Sequence, residues 1–245
     1  MTGLAGKIIL ITGAGAGIGA ATARRALAEG ARLICTDLDP AAEDRLALPS
    51  GQDTLFLPHD VSSPDDWSRV EAVIADKFGR LDGLVNNAGL LKMGTIESTT
   101  LEDYRSVLAV NLDGTLLGCQ AGLRLMKQNG GSIVNLASIA AEKPGPGSIA
   151  YGISKAGIVN LTKSVAAYCQ KKDYTIRCNA VSPGAVDTQM RDLVFGDRPA
   201  DKASASLPKH VAAPADIAEG ILFLLSPRAA YVTGSVFLMD GGRLL

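Results

Sequence analysis

The stretch "KIILITGAGAGIGAATARRALAEGARLICTD", Lys7 to Asp37, decides the fold of this chain. It opens on a continuous apolar run, 7–12, as a strand buried on both faces requires. Glycines follow, then an alanine-rich pattern of helical spacing to about Glu29. A second apolar run, "RLICTD" at 32–37, closes the unit. Strand, glycine turn, helix and strand make a parallel βαβ unit with a right-handed crossover.

Within that unit, "TGAGAGIG" (12–19) carries Gly13, Gly17 and Gly19, with Ala16 and Ile18 between them. Glycine lets the backbone turn tightly and come close to a ligand. The free N–H groups of a helix starting there suit a pyrophosphate. The spacing meets the dinucleotide fingerprint only loosely, and a tight turn with close helix packing would use the same residues. Asp37 stands 18 residues after Gly19, at the end of the second strand. A carboxylate there can accept hydrogen bonds from adenosine ribose hydroxyls and repels a 2′-phosphate; a helix cap or a solvated turn acid is the other reading. Leu38 follows it, and 13–19 holds no Arg or Lys. These residues favour NAD over NADP.

The alternation continues outward. "DTLFLP" (53–58), "LDGLVNNAG" (81–89), "GSIVNLAS" (131–138), "IRCNAVSPG" (176–184) and "GSVFLMDGG" (234–242) read as strands, some with their following turns. Between them, 67–79, 100–128, 148–170 and 214–226 have helical spacing, with Thr100 as an N-cap and Pro214 in a first turn. The pattern predicts one α/β domain, 1–245, built as a doubly wound parallel sheet of Rossmann type with helices on both faces. The segment 189–211 is polar, Pro-punctuated and longer than a usual connection, and reads as a substrate lid.

Composition narrows the function classes. The chain is 47% apolar but only 4% aromatic, so aliphatic residues must fill its core. A net charge of −1, with both signs interspersed, offers no field for nucleic acid or an anionic membrane. Cys35, Cys119, Cys169 and Cys178 are far apart in sequence, lie in apolar contexts and form no CxxC pair, which reads as buried reduced thiols and no metal site. No leader pattern and no run of about 20 apolar residues is present, so a soluble cytoplasmic protein is expected.

"AYGISKAG" (150–157) sets Tyr151 four residues before Lys155, on one helix face. With "TGAGAGIG", "DV" (60–61), "NNAG" (86–89), Asn111, Ser138 and "SPGAVDT" (182–188), this string resembles the short-chain dehydrogenase/reductase family over essentially the whole chain. The resemblance implies that Tyr151 is the general acid/base, that Lys155 lowers its pKa and binds the nicotinamide ribose, and that Ser138 holds the substrate oxygen. Asn111 would support a water joining Lys155 to solvent. Asp60 and Val61 would receive the adenine, with Val110 nearby. Asn86, Asn87, Ala88 and Gly89 would line the cofactor cleft, and Pro183, Gly184, Val186 and Thr188 would flank the nicotinamide end.

Electrostatics agrees with the pairing. A free phenol titrates near pH ~10, and a thousandfold gain in acidity takes roughly 4 kcal/mol. One ammonium at about 4.5 Å, at an effective dielectric near 20, supplies roughly 3.7 kcal/mol. Burial opposes it, so a second cation, an oxidised nicotinamide, is needed for Tyr151 to serve as a base. Read alone, Ser138 could merely cap a turn, and Asn111, inside an otherwise apolar helix, could be a buried amide satisfied by backbone or the mark of a local distortion.

The substrate is expected near Leu90, Leu91, Met93, Ile139, Ala140, Pro144, Ala185 and Met190. These residues suit an uncharged, hydrophobic secondary alcohol or ketone; no Arg is obviously placed to grip an anion, although Lys92 and Lys143 are at hand. "HDVSSPDDW", "GCQAG" and "DYTIRCN" resemble bacterial hydroxysteroid and cyclic secondary-alcohol dehydrogenases. His210-Val211 departs from the family's usual Gly-Arg, which bears on the lid's anchoring. Rival readings are a 3-oxoacyl-carrier-protein reductase, against which Asp37 and the balanced charge argue, and an NAD-binding sensor, which would typically lack Tyr151 or Lys155. The family usually forms tetramers through its two long helices and last strand, so a homotetramer or homodimer is expected.

Overall fold

The computed structural model describes residues 3–49, 53–191 and 211–245. Seven strands form one parallel sheet: β1 (Ile8–Thr12), β2 (Arg32–Asp37), β3 (Thr54–Pro58), β4 (Gly83–Asn86), β5 (Gly131–Leu136), β6 (Ile176–Pro183) and β7 (Val236–Met239). Their order is β3-β2-β1-β4-β5-β6-β7, and all neighbours are parallel. The order reverses between β1 and β4, which opens a crevice beyond the strand C-termini there.

Successive side chains of a strand point to opposite faces, and both faces here are apolar. Ile9 and Ile11 of β1 join Leu33, Val85, Val134 and Val181 on one face. Against them lie α1 (Gly17–Ala28), through Ala20, Ala23 and Ala26, and α7 (Pro214–Leu225), through Ile217, Ile221 and Leu224. Ile8 and Leu10 point the other way, with Ile34, Leu84 and Ile133. That face is covered by α3 (Pro64–Phe78), α5 (Gly114–Met126) and α6 (Ile149–Lys171), through Trp67, Val70, Ile74, Ala121, Val165 and Ala166. The aliphatic core expected from the low aromatic content is thus split into two layers, with the sheet between.

Three details refine the sequence reading. A short helix, α2 (Ala42–Leu46), follows β2. The long helix expected over 100–128 is α4 (Leu101–Leu108) and α5 joined by a π turn at Ala109–Asp113. Thr100 caps it as expected, its Oγ1 accepting from Asp103 N at 3.0 Å. The four cysteines are buried and unpaired, but they are not all in apolar surroundings. Cys119 and Cys178 lie beside the buried Asn135 amide, whose Nδ2 also donates to Thr162 Oγ1 at 3.0 Å. Among the described residues, no helix is long and apolar enough to cross a membrane.

Candidate active site

The C-terminal ends of β1, β2, β4, β5 and β6 open onto one cleft of about 670 Å³. At its first end the chain is positioned by backbone. Gly13 has φ +62°, and a Cβ there would sit 2.8 Å from Ala88 Cα. Gly19 lies behind the cleft rather than along it: a Cβ would meet Gly13 O at 2.2 Å. Its lack of a Cβ lets α1 close on the turn, as the packing alternative requires. Ala16 precedes α1 without a side-chain cap, which leaves the first-turn N–H groups to the cleft. Asn87 ties β1 to β4, its Nδ2 donating to Thr12 O and Gly13 O at 2.9 Å each.

Asp37 and Leu38 border the same end. Asp37 Oδ2 accepts from Gly15 N at 2.9 Å, and Oδ1 accepts from Asp39 N at 3.2 Å. The carboxylate therefore braces the glycine turn while facing the cleft. Gly15, not singled out in the sequence, is the residue that lets this contact form: a Cβ would lie 2.8 Å from Asp37 Oδ2. Asp60, Val61, Ala88, Gly89 and Val110 also line this half. Asn86 does not; it is buried beneath the sheet end, donating to Asn135 Oδ1 at 2.9 Å. His59 was missed. It is 2% exposed, held by Thr36 Oγ1 at Nδ1, and packs edge-on against Trp67. Burial depresses its pKa to about 4.

At the other end, Ser138, Tyr151 and Lys155 converge. Ser138 does two things: its Oγ accepts from Ala140 N at 3.2 Å, capping a short 3₁₀ turn (Ile139–Ala141), and its hydroxyl lies near enough to Tyr151 to ease the ionisation of the phenol. Lys155 is 4% exposed; its Nζ donates to Leu136 O at 2.6 Å and lies 5.4 Å from the Tyr151 ring centre. Burial raises the Tyr151 phenol above its ordinary value, and Ser138 offsets part of that rise. Burial also lowers Lys155 to about 8.

Asn111 sits in the π turn, fully buried, and does not line the cleft. Its Oδ1 accepts from Leu90 N at 2.7 Å, and its Nδ2 donates to Leu90 O at 3.0 Å and Ser154 Oγ at 2.9 Å. Ser154 Oγ in turn donates to Tyr151 O. The amide is satisfied largely by backbone, and the π turn is a local distortion of the helix. Its side chain clamps the Leu90 loop to the first turns of α6, and it stands near Lys155: a Cβ on Gly89 would lie 3.5 Å from Asn111 Oδ1 and 3.8 Å from Lys155 Nζ.

Leu90, Leu91, Ile139, Ala140, Ala185 and Met190 line the substrate half, as do Pro183, Gly184, Val186 and Thr188 beside it. Pro144 does not line it; its neighbours Lys143 and Gly145 do, because the chain turns Pro144 outward. No arginine is obviously placed for the cleft in the sequence, yet Arg191 and Arg243 both line it, Arg191 also lying 4.0 Å from Asp187 Oδ1. Arg243 was hidden because it lies about ninety residues from Tyr151 and reaches the site only by the return of the C-terminal tail. Most of the segment read as a lid, 192–210, lies outside the described residues, His210 included. No group of three or more His, Cys, Asp and Glu among the described residues is arranged to hold a metal.

Residues 13–243 match a family model described as enoyl-(acyl carrier protein) reductase. The chain is 35% identical to a 3-beta-hydroxysteroid dehydrogenase of Comamonas testosteroni, over 98% of this chain and 97% of that protein. It is 34% identical to an NADP-dependent (R)-specific alcohol dehydrogenase of Lentilactobacillus kefiri, over 98% and 97% of the two chains. It is 36% identical to a 3-oxoacyl-[acyl-carrier-protein] reductase of Thermotoga maritima, over 99% of each. With this much of the chain matched, and with the sheet order and cleft described above, the conclusion is direct. This chain belongs to the short-chain dehydrogenase/reductase family and is an oxidoreductase of alcohols and ketones that works with a nicotinamide dinucleotide.

Proposed function

We propose that this enzyme uses NAD(H) to interconvert a secondary alcohol and its ketone, with Tyr151, Lys155, Ser138 and Asn111 as its machinery. The observation that carries the reading is the meeting of Ser138, Tyr151 and Lys155 on the cleft that the glycine turn borders. The cleft suits a dinucleotide: positive-φ Gly13 and Gly17 and the uncapped start of α1 leave backbone N–H groups for a diphosphate. Asp37, with Leu38 beside it, suits an adenosine ribose and opposes a 2′-phosphate. When bound, the nicotinamide takes or gives the hydride at the carbinol carbon.

The residues do the rest. Tyr151 exchanges the proton of the substrate oxygen. Ser138 donates a hydrogen bond to that same oxygen, steadying negative charge as it develops. Lys155 holds its ammonium beneath the phenol and grips the ribose. Its attraction adds to that of an oxidised nicotinamide, so Tyr151 becomes a good base chiefly with NAD⁺ present. Asn111 positions the Leu90 loop against α6. Tyrosinate absorbance, titrated with and without NAD⁺ and against Tyr151→Phe, tests this: NAD⁺ should bring a Tyr151-dependent ionisation to lower pH. An unchanged titration overturns the two-cation account.

The substrate half of the cleft supports an apolar body around the carbinol. Cyclic secondary alcohols with NAD⁺ are the first panel, followed by NADH absorbance. The similarity to a carrier-protein reductase favours a second reading, reduction of a 3-oxoacyl thioester; acetoacetyl thioesters with NADH or NADPH separate the two. A sensor without turnover would show cofactor binding and no effect of Tyr151→Phe. We also expect self-association: Leu101, Leu116, Ile153 and Tyr168 on the helices and Phe237 and Leu238 on edge strand β7 are exposed. Sedimentation as a stable monomer would count against it.

A further inference from the structure

We propose that Ser154 is a positioning residue for the reaction: it fastens the wall of the substrate pocket to the turn of α6 that carries Tyr151. This rests on the dehydrogenase reading above and adds a residue to its machinery. Ser154 is 0% exposed and does not line the cleft. Its hydroxyl is used on both sides. It accepts from Asn111 Nδ2 at 2.9 Å and donates to Tyr151 O at 2.7 Å. Both ends of the Asn111 amide are used as well. Its Oδ1 accepts from Leu90 N at 2.7 Å, and its Nδ2 donates also to Leu90 O at 3.0 Å. A continuous hydrogen-bonded path, Leu90 to Asn111 to Ser154 to Tyr151, thus joins the pocket wall to the backbone of the residue assigned the proton.

The surroundings make this path matter. Leu90 and Leu91 line the substrate half. Further along the same loop, Gly94 is fastened to the start of α6 by backbone, Gly94 N donating to Gly147 O at 2.8 Å and Ile149 N to Gly94 O at 3.4 Å. On another side of the Tyr151 turn, a Cβ on Gly152 would lie 3.3 Å from Ala140 O, so the turn that starts at Ser138 packs against it. Ser154 secures the end of the loop nearest the chemistry. A second hydroxyl on α6 supplies a comparison within the fold. Thr162 is also 0% exposed; it accepts from Asn135 Nδ2 at 3.0 Å and donates to Ile158 O at 2.8 Å. The two hydroxyls are bonded alike, a buried asparagine amide on one side and a carbonyl of their own helix on the other. They differ in where the amide leads. Asn135 lies in β5, and its Oδ1 accepts from Asn86 Nδ2 beneath the sheet end; Asn111 leads to the pocket wall. Both hydroxyls should stabilise the fold on a comparable scale, so a difference between them in rate reports position.

The test compares Ser154→Ala with Thr162→Val. Each removes one buried hydroxyl and leaves an asparagine amide hydrogen without that acceptor, and each should lower the urea midpoint. Turnover is read with NAD⁺ and cyclohexanol, then with the fastest alcohol of the panel above. It is expressed as kcat per NADH-binding site, counted by fluorescence titration, so that unfolded protein does not enter. Ser154→Ala should lose roughly tenfold to a hundredfold, the scale of a misplacement of about 1 Å, and Thr162→Val should keep the parent's rate. Tyr151 and Lys155 ride on the same helix, so the midpoint of the kcat–pH profile should hold while its plateau drops. Ser154→Cys, of similar volume with weaker hydrogen bonds, should fall between parent and alanine variant, and it carries the comparison if Ser154→Ala does not fold. A parent-like rate per site in the Ser154 variants, equal losses at Ser154 and Thr162, or a shifted pH midpoint overturns the proposal. Failure of the dehydrogenase reading would look different: Tyr151→Phe would then turn over as the parent does, whatever the Ser154 variants did.

Discussion

The two ends of the cleft are built by different means. The adenosine end is made from backbone: a glycine turn, the open start of α1, and one carboxylate braced by Gly15 N–H. These three parts come from one βαβ unit. The nicotinamide and substrate end is made from side chains on separated segments: Ser138 after β5, Tyr151 and Lys155 on α6, the Gly184 turn after β6, and Arg243 on the tail. The first end holds a constant ligand and needs shape. The second must move a proton and choose a substrate, and needs charges whose energies depend on burial. Substitutions should therefore split: at the first end they change cofactor affinity and fold, at the second they change rate and choice.

The largest expected effect lies at the second end. Tyr151→Phe removes the hydroxyl that we propose exchanges the substrate proton, and almost no packing volume. Turnover should fall by roughly a hundredfold to ten-thousandfold, with the thermal midpoint and NADH affinity nearly unchanged. Lys155→Met should lose rate on the same scale and weaken cofactor binding as well, because in the proposed mechanism the ammonium both faces the phenol and grips the nicotinamide ribose. If Lys155→Met turned over at the parent's speed, the contrast between a binding end and a chemical end would rest on the wrong residues.

The next effect tests burial at the adenosine end. His59 has its pKa lowered to about 4, first by burial, opposed by Asp66 and Asp60 and assisted by Arg69. An unfolded histidine titrates near 6.5. Between those values the unfolded chain binds more protons than the folded one, so stability is full above about pH 6.5 and is lost as pH falls toward 4. The loss approaches about 3 kcal/mol. Urea midpoints measured across this range should show it, and His59→Asn should flatten it. A wild-type profile no steeper than the variant's would mean that this end is less sealed than its geometry requires.

Gly19→Ala tests whether the adenosine end is shape. The added methyl would meet Gly13 O and Asn87 Nδ2. Either α1 or the turn must move, at a cost of about 1–3 kcal/mol, and NAD affinity should fall with stability. Lost affinity at full stability would instead make Gly19 a ligand contact.

The same contrast explains what could be read from the chain unaided. The seven strands and the βαβ order were legible because both sheet faces demand unbroken apolar runs, and Gly13 and Gly17 because only their backbone freedom permits the turn. Tyr151 and Lys155 were legible because four residues on a helix is a local spacing. The rest depends on distance in the chain. Nothing near Asn111 says that its amide will hold Leu90. Nothing near Arg243 says that the tail will fold back over Gly184. Cys119 and Cys178 look isolated until β5 sets Asn135 between them. Periodicity reports which face a residue takes, not which remote residue waits there.

The smallest effect is the one that would sharpen the comparison most. Asp37 has two tasks, bracing Gly15 N–H and facing the adenosine end of the cleft. Asp37→Ser retains a hydroxyl for the first and removes the negative charge that opposes a 2′-phosphate. If choice at this end is electrostatic, the NAD⁺ over NADP⁺ ratio of kcat/KM should fall by about tenfold, roughly 1.4 kcal/mol, with most of the change in KM for NADP⁺. If choice comes from the shape of the braced turn, both cofactors should weaken together and the ratio should hold. Steady-state kinetics with each cofactor in turn separates the two outcomes, because charge acts on one phosphate while a slackened turn acts on everything bound to it.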